Sequence, residues 1–246
     1  MTKLKMLLTT QNAKTSKGED LGYLTGILYL IPSDLSNLYN EYKKRINLCP
    51  MASKGCKQSC LVSAGRGAFK SVYTARLEKT KLFATDLEYF MQSLVFSIHK
   101  VIRQAKRNNL IPCIRLNGTS DIQWEKIRNN KGQNIFEMFP DIQFYDYTPD
   151  FTRTDAFLGK WKNYHLTFSR KESRANHVQA ERLLSMGVNV AAVYIDVEKV
   201  IKTNAKAVNG DLHDLRFLNP NNGSIIALKA KGKAKKDLSG FVIRNA

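Results

Sequence analysis

No apolar run in this chain approaches the roughly 20 residues that a membrane-crossing helix needs. The longest, Tyr23 to Pro32, is broken by Thr25 and Gly26. The opening residues, Met1-Thr2-Lys3-Leu4-Lys5-Met6, carry two lysines but pass directly into Thr-Thr-Gln-Asn, without the apolar centre of a secretion signal. Both absences lead to the expectation of a cytoplasmic protein with no membrane partner. Cysteine is scarce, four in 246 residues, yet three of the four crowd between Cys49 and Cys60. In a reducing compartment that crowding suits metal or redox chemistry better than disulfides. Acidic residues are also few, 21 against 39 Lys and Arg, for a formal charge of +18. Neither Gly-x-Gly-x-x-Gly nor a Gly-Lys-Thr phosphate loop occurs, nor does any helix-turn-helix, zinc-finger or RNP pattern. No repeat, Pro/Ser-rich linker or low-complexity block forces a boundary, so residues 1–246 are read as a single domain.

The basic excess is densest at Lys43-Lys44-Arg45, at Lys100, Arg103, Lys106 and Arg107, and from Lys229 through Lys231, Lys233, Lys235 and Lys236. Such a surface favours polyanions through counterion release, and the partner it suggests carries phosphate, as a nucleotide or nucleic acid does. A basic chain that is merely well solvated is the plainer alternative.

Periodicity supplies the fold class. Segments at Tyr23–Pro32, Pro112–Leu116, Ile142–Tyr147, Tyr164–Ser169, Val188–Tyr194 and Ser224–Lys229 read as short strands. Between them lie helical patterns. One runs from Ala68 to Asn109, with Leu87, Phe90, Met91, Leu94, Val95, Ile98, Val101 and Ile102 on one face and Thr85 as N-cap; another runs from Asn176 to Met186 and closes on Gly187. About six parallel strands with helical crossovers describe an α/β fold, a complete or partial βα-barrel of TIM type whose C-terminal rim carries the chemistry. Lys199 to Asn222 is the least regular stretch and reads as a loop insertion over the barrel mouth.

The segment from Asn47 to Leu61 holds Cys49, Cys56 and Cys60 in a C-x6-C-x3-C arrangement. Lys54 and Lys57 favour thiolates there, as ligation requires. Structural zinc usually takes four ligands in closely spaced pairs, and no second pair occurs. Three thiolates suit an iron–sulfur cluster with one open iron, with a His-completed zinc site or three unrelated thiols as the alternatives. Cys113, inside a strand pattern, reads as a small core hydrophobe rather than a fourth ligand.

Polar groups at strand ends supply the remaining candidates. Asn117, Thr119, Ser120 and Asp121 follow one strand, and Asp146 alternates with Tyr145 and Tyr147 on the next. Asp121 and Asp146 are expected as catalytic contacts, and Asn117, Ser169, Arg170, Lys229 and Lys231 as contacts to substrate, the arginine through its planar fork. His213, between Asp211 and Asp214, reads either as a carboxylate-oriented base or as an ordinary surface histidine.

Several segments together resemble the phage-encoded gene product 88-like family. They are Leu7 to Lys17, Cys49 to Cys60, Arg115 to Asp121, Phe144 to Tyr147, Tyr164 to Ser169, Gly210 to Asp214, and Leu228 to Gly232. On that resemblance alone Gln11, Asn12 and Lys14 are placed at the same mouth, in a protein of the host cytoplasm. More distantly, a cysteine triad after a first strand looks like the radical S-adenosylmethionine enzymes, whose usual spacing is C-x3-C-x2-C. That likeness implies a 4Fe-4S cluster on Cys49, Cys56 and Cys60, S-adenosylmethionine as cofactor and a reductant protein as partner. Two functions are therefore expected. One is an iron–sulfur enzyme acting on a nucleotide or nucleic acid; the other is a basic nucleic-acid-binding protein with a structural metal.

Overall fold

The structure, a computed structural model, describes residues 3–40, 43–63 and 65–244. In chain order its elements are β1 (Leu8–Thr9), α1 (Ala13–Glu19), β2 (Tyr23–Leu28), α2 (Lys54–Gln58), α3 (Lys70–Thr85), α4 (Leu87–Arg107), β3 (Ile111–Arg115) and α5 (Ile135–Met138). Then come β4 (Gln143–Thr148), α6 (Thr154–Phe157), β5 (Tyr164–Ser169), α7 (Arg174–Ser185), β6 (Val190–Tyr194), α8 (Val197–Thr203), β7 (Ala207–Asn209), β8 (Ile225–Lys229) and β9 (Val242–Ile243). Among the described residues no helix is long and apolar enough to cross a membrane.

The chain divides into two compact units, one made of Met1–Pro50 and Ala68–Phe144, the other of Met51–Gly67 and Tyr145–Ala246. In the first, β2 and β3 are parallel, with Tyr23 opposite Ile111 and Ile27 opposite Arg115, and β3 pairs parallel with the start of β4. β1 adds an antiparallel edge through Leu8 opposite Leu28. α4 covers β2 and β3 with Phe90, Leu94, Ile98 and Val101, all fully buried. Burying each such side chain contributes about 1.5–3 kcal/mol. Ser93 and Ser97 share that face, because their hydroxyls accept from the backbone N–H of Lys5 and Leu7 and so pin the N-terminal segment to the helix. The pattern expected as one helix is two: the backbone breaks at Asp86, whose carboxylate accepts from Tyr89 N at 2.9 Å. The cap therefore sits one residue beyond Thr85.

In the second unit β5, β6, β8 and β7 run parallel in that order. β6 meets β5 through Val190 and Ala191 on one side, then β9 through Val193 and Tyr194. Ala192, Tyr194, Val197, Val200, Ala207 and Ala227 form a core beneath α8.

The six expected strands are β2, β3, β4, β5, β6 and β8, and the mostly parallel α/β class holds. A complete barrel is not shown. The strand path begins at β1 and ends at β7, and among the described residues no pairing joins these edges. Two features explain the opening. α3 and α4 follow one another with no strand between them, breaking the βα alternation that a barrel repeats. The two- and three-residue strands β1 and β7 also cap the edges where closure would need full-length neighbours. The segment from Lys199 to Asn222 completes α8 and contains β7.

Candidate functional site

The cysteine loop enters the second unit at Met51 and forms the single turn α2. Ser53 caps it, its hydroxyl accepting from Cys56 N at 3.2 Å. The same hydroxyl donates to Glu172 Oε2 at 2.6 Å, while Gly55 N donates to Glu172 Oε1 at 2.9 Å and Lys171 Nζ donates to Met51 O at 3.0 Å. The loop after β5 thus holds the cysteine turn by its N-terminal end. Burial pushes the Glu172 carboxyl up, but the hydrogen bonds from Ser53 and Gly55 outweigh it and keep it below its ordinary value. Gly55 is required by contact: a Cβ there would lie 2.7 Å from Phe241 Cβ and collide with Ser239 Oγ.

Cys56 and Cys60, four residues apart, are half-buried beside this turn. Cys49 belongs to the first unit, where its N–H donates to Asn47 Oδ1 at 2.9 Å and its Sγ to the carbonyl of Thr119 at 3.7 Å. Among the described residues no three His, Cys, Asp or Glu side chains gather closely enough to hold a metal ion. Cys56 and Cys60 supply two thiols from one turn, and Cys49 a third from the other unit. Cys113 is the core residue expected, wholly buried with its sulfur 3.2 Å from Thr25 Oγ1.

The second unit does contain a basic cleft. It has a volume of about 560 Å³ and is lined by Lys54, Gln58 and Ser59 from the cysteine turn and by Lys233, Lys236, Asp237, Leu238 and Ser239 from the C-terminal strap. Two features that the sequence presents 170 or more residues apart therefore share one wall-to-wall opening. Asp237, the acid among these residues, accepts from Val242 N at 3.0 Å and from Ser239 Oγ at 2.7 Å. Burial raises its carboxyl, yet these bonds and nearby Arg244 hold it below its ordinary value.

The other candidates belong to both units. In the first unit, Asn117 Oδ1 accepts from Ser120 Oγ, Ile122 N and Trp124 Nε1, and its amide donates to Ile122 O. Asn117 and Asp121 are buried, and Asp121 N donates to Leu48 O at 2.7 Å. In the second unit Asp146 is fully buried, accepting from Tyr164 OH, which in turn accepts from Arg153. Ser169 and Arg170 are half-buried, with Arg170 Nη1 donating to the carbonyls of Gly240 and Phe241. Lys229 N and Lys231 Nζ both donate to the Asp211 carboxylate. The side chain of Lys14 lies outside the described residues.

A family model described as gene product 88 matches residues 6–245, nearly the whole chain. The chain belongs to the gene product 88 family. No curated protein and no solved structure matches it. Within this gene product 88 chain, the residues that build the cleft were only partly marked by sequence. Lys54 stands out in the sequence only as a charged neighbour of the thiols, whereas Lys233 and Lys236 sit just past Lys229 and Lys231, the pair expected to meet substrate. Glu172, which anchors the cysteine turn, carried no signal: a lone acid between Lys171 and Ser173 looks like any solvated residue.

Proposed function

We propose that the second unit binds a phosphate-bearing polyanion, a nucleotide or nucleic acid, in the cleft between the cysteine turn and the C-terminal strap. The observation that carries this reading is the convergence of Lys54, Lys233 and Lys236 on one opening, in a chain of charge +18. Lysine ammoniums act there as point charges on phosphate, and releasing condensed counterions supplies the driving force. Glu172 serves as a positioning residue, because it fixes the turn that presents Lys54.

The test is binding of a short single-stranded oligonucleotide, followed by fluorescence anisotropy across a KCl series. Three phosphate contacts predict a log–log salt slope steeper by about 2 than that of a Lys54→Ala/Lys233→Ala/Lys236→Ala variant. Equal slopes in the two proteins would reject the cleft.

A second reading keeps the thiols as the reactive centre. Cys49, Cys56 and Cys60 are half-buried while Cys113 is wholly enclosed, the division expected between reactive thiols and an inert core thiol. On this reading the protein is a radical S-adenosylmethionine-like enzyme of phage type. The three cysteines, assigned by their spacing, hold a 4Fe-4S cluster, and a reductant protein is its partner. Asp121 and Asp146 are then contacts to cofactor or substrate. Such a cluster, when bound, would supply one-electron chemistry with one iron open to a further ligand. Anaerobic reconstitution with iron and sulfide decides it. Each single Cys→Ala variant should lose the brown chromophore, and three intact chromophores would end the assignment.

A further inference from the structure

Two family segments that the cleft does not use, Tyr164 to Ser169 and Gly210 to Asp214, are brought together inside the second unit. The second is fixed to the sheet. Gly210 N donates to Ala227 O at 2.8 Å, and a Cβ on Gly210 would fall 2.6 Å from Ile226 Cγ2, so this backbone lies against β8 with no room for a side chain. Asp211 N is held by Asn209 Oδ1, and the Asp211 carboxylate takes Lys229 N. The chain then turns, and the helical turn at Arg216–Leu218 packs on β5.

That turn carries Arg216 inward to 1% exposure. Its guanidinium donates to the backbone carbonyls of Gly210, His213 and Asp214, leaving Nη1 without a hydrogen-bond partner. Other polar atoms of this unit are also buried and unpartnered: Nε2 of His165, Oγ1 of Thr167 and Nδ1 of His213. His165 and Thr167 stand two apart on β5 and so share a face, and Thr167 is 0% exposed. Both imidazoles feel the Arg216 charge and are held toward the neutral form, His165 mainly by burial down to about 4 and His213 by burial and Arg216 against the opposing pull of Asp214.

A buried cation with an unused N–H is unfavourable as it stands, and so are a hydroxyl and ring nitrogens buried without partners. An oxyanion, with several acceptor oxygens and a charge that matches the guanidinium, is the kind of group that would satisfy them. We propose that Arg216, His165, Thr167 and His213 form a buried site for a phosphate group, separate from the basic cleft and independent of the reading given above. The group is either inorganic phosphate or the phosphate of a nucleoside monophosphate.

The chain has four histidines, and the other two, His99 and His177, are not part of the cluster, so the imidazoles report on the site directly. Histidine-ring NMR is recorded on the full chain during titration with inorganic phosphate and, separately, with a deoxynucleoside 5′-monophosphate. His165 and His213 should shift in saturable fashion with at least one of the two, and the tighter one names the source. Their shifts should persist in the Lys54→Ala/Lys233→Ala/Lys236→Ala variant, so failure of the cleft and failure of this site are told apart. Arg216→Gln should abolish them. Should that variant not fold, Thr167→Val, nearly isosteric, should weaken binding by about fivefold or more, as expected for losing one hydrogen bond to an anion. Rings that stay unmoved by both ligands, shifts lost with the three lysines, shifts kept in Arg216→Gln, or unchanged affinity in Thr167→Val would each overturn the proposal.

Discussion

Asn117 in the first unit and Arg216 in the second are both buried polar side chains in loops beside a parallel strand, and they do opposite things. Asn117 is committed to its own loop: one oxygen accepts from three donors, and its amide donates onward. Arg216 holds its loop with two nitrogens and leaves the third unpartnered, in the unit that also holds unpartnered atoms of His165, Thr167 and His213. A polar residue at a strand end is therefore no evidence of a site by itself. What separates scaffold from site is whether the hydrogen-bonding capacity is already filled, since a buried group left unfilled costs free energy that only a ligand or water recovers.

The sharpest way to break this comparison is Asn117→Ala. Removing the side chain leaves Ile122 N, Trp124 Nε1 and Ser120 Oγ without their acceptor in a buried setting, and orphaned groups of this kind cost about 1–3 kcal/mol each. With partial relaxation the expected loss is about 2–4 kcal/mol, read as a lower urea midpoint at unchanged slope. A loss under about 0.5 kcal/mol would mean that the bonds contribute no more than surface contacts do, and Asn117 would return to the list of ligand contacts.

This contrast also marks where sequence reading stopped. The six principal strands followed from runs of apolar and β-branched residues, and the stripe Phe90, Leu94, Ile98 and Val101 from a period of 3.6, because each depends on neighbours within one element. Strands β1, β7 and β9 are two or three residues long, too short to show a period, and closure of a sheet depends on such edges. Cys49 to Cys60 stood out by spacing, but its partner Glu172 did not, since that pairing joins residues more than 110 positions apart. His213 was noticed for its flanking acids, whereas Arg216, the centre of the cluster, has no local pattern to mark it. Asp121 and Asp146 were legible as strand-end acids, and both are buried.

The next effect is in pH. His165 titrates at about 4 in the fold and near 6.5 when unfolded, so between those values the unfolded chain binds more protons. Stability is then full above about pH 6.5, falls as the pH drops toward about 4, and levels off below that. The lowered His213 contributes in the same direction. Chemical denaturation from pH 7.5 to 4.5 should show this decline, shallower in His165→Gln, with solvent screening of the partly buried ring keeping the change below that of Asn117→Ala. Phosphate should counter the decline, because a bound anion favours the protonated rings. A stability that is level across this window would place the ring in contact with water instead of in the buried cluster.

The smallest change tests the other half of the comparison. Thr167→Val keeps the shape of a residue at 0% exposure and removes a hydroxyl that has no partner. At a filled position such as Asn117, deleting the polar group destabilises. At an unfilled one it relieves a desolvation cost, so without phosphate the variant should be more stable by about 1 kcal/mol. With phosphate present the gain should shrink or reverse, because the ligand then binds the variant less tightly and lends it less stability through mass action. A variant destabilised by more than about 1 kcal/mol without any ligand would mean that the hydroxyl is already satisfied inside the fold, and Thr167 would join Asn117 as scaffold. Opposite signs in the two buffers would instead show a position where the fold gives up stability to hold a ligand.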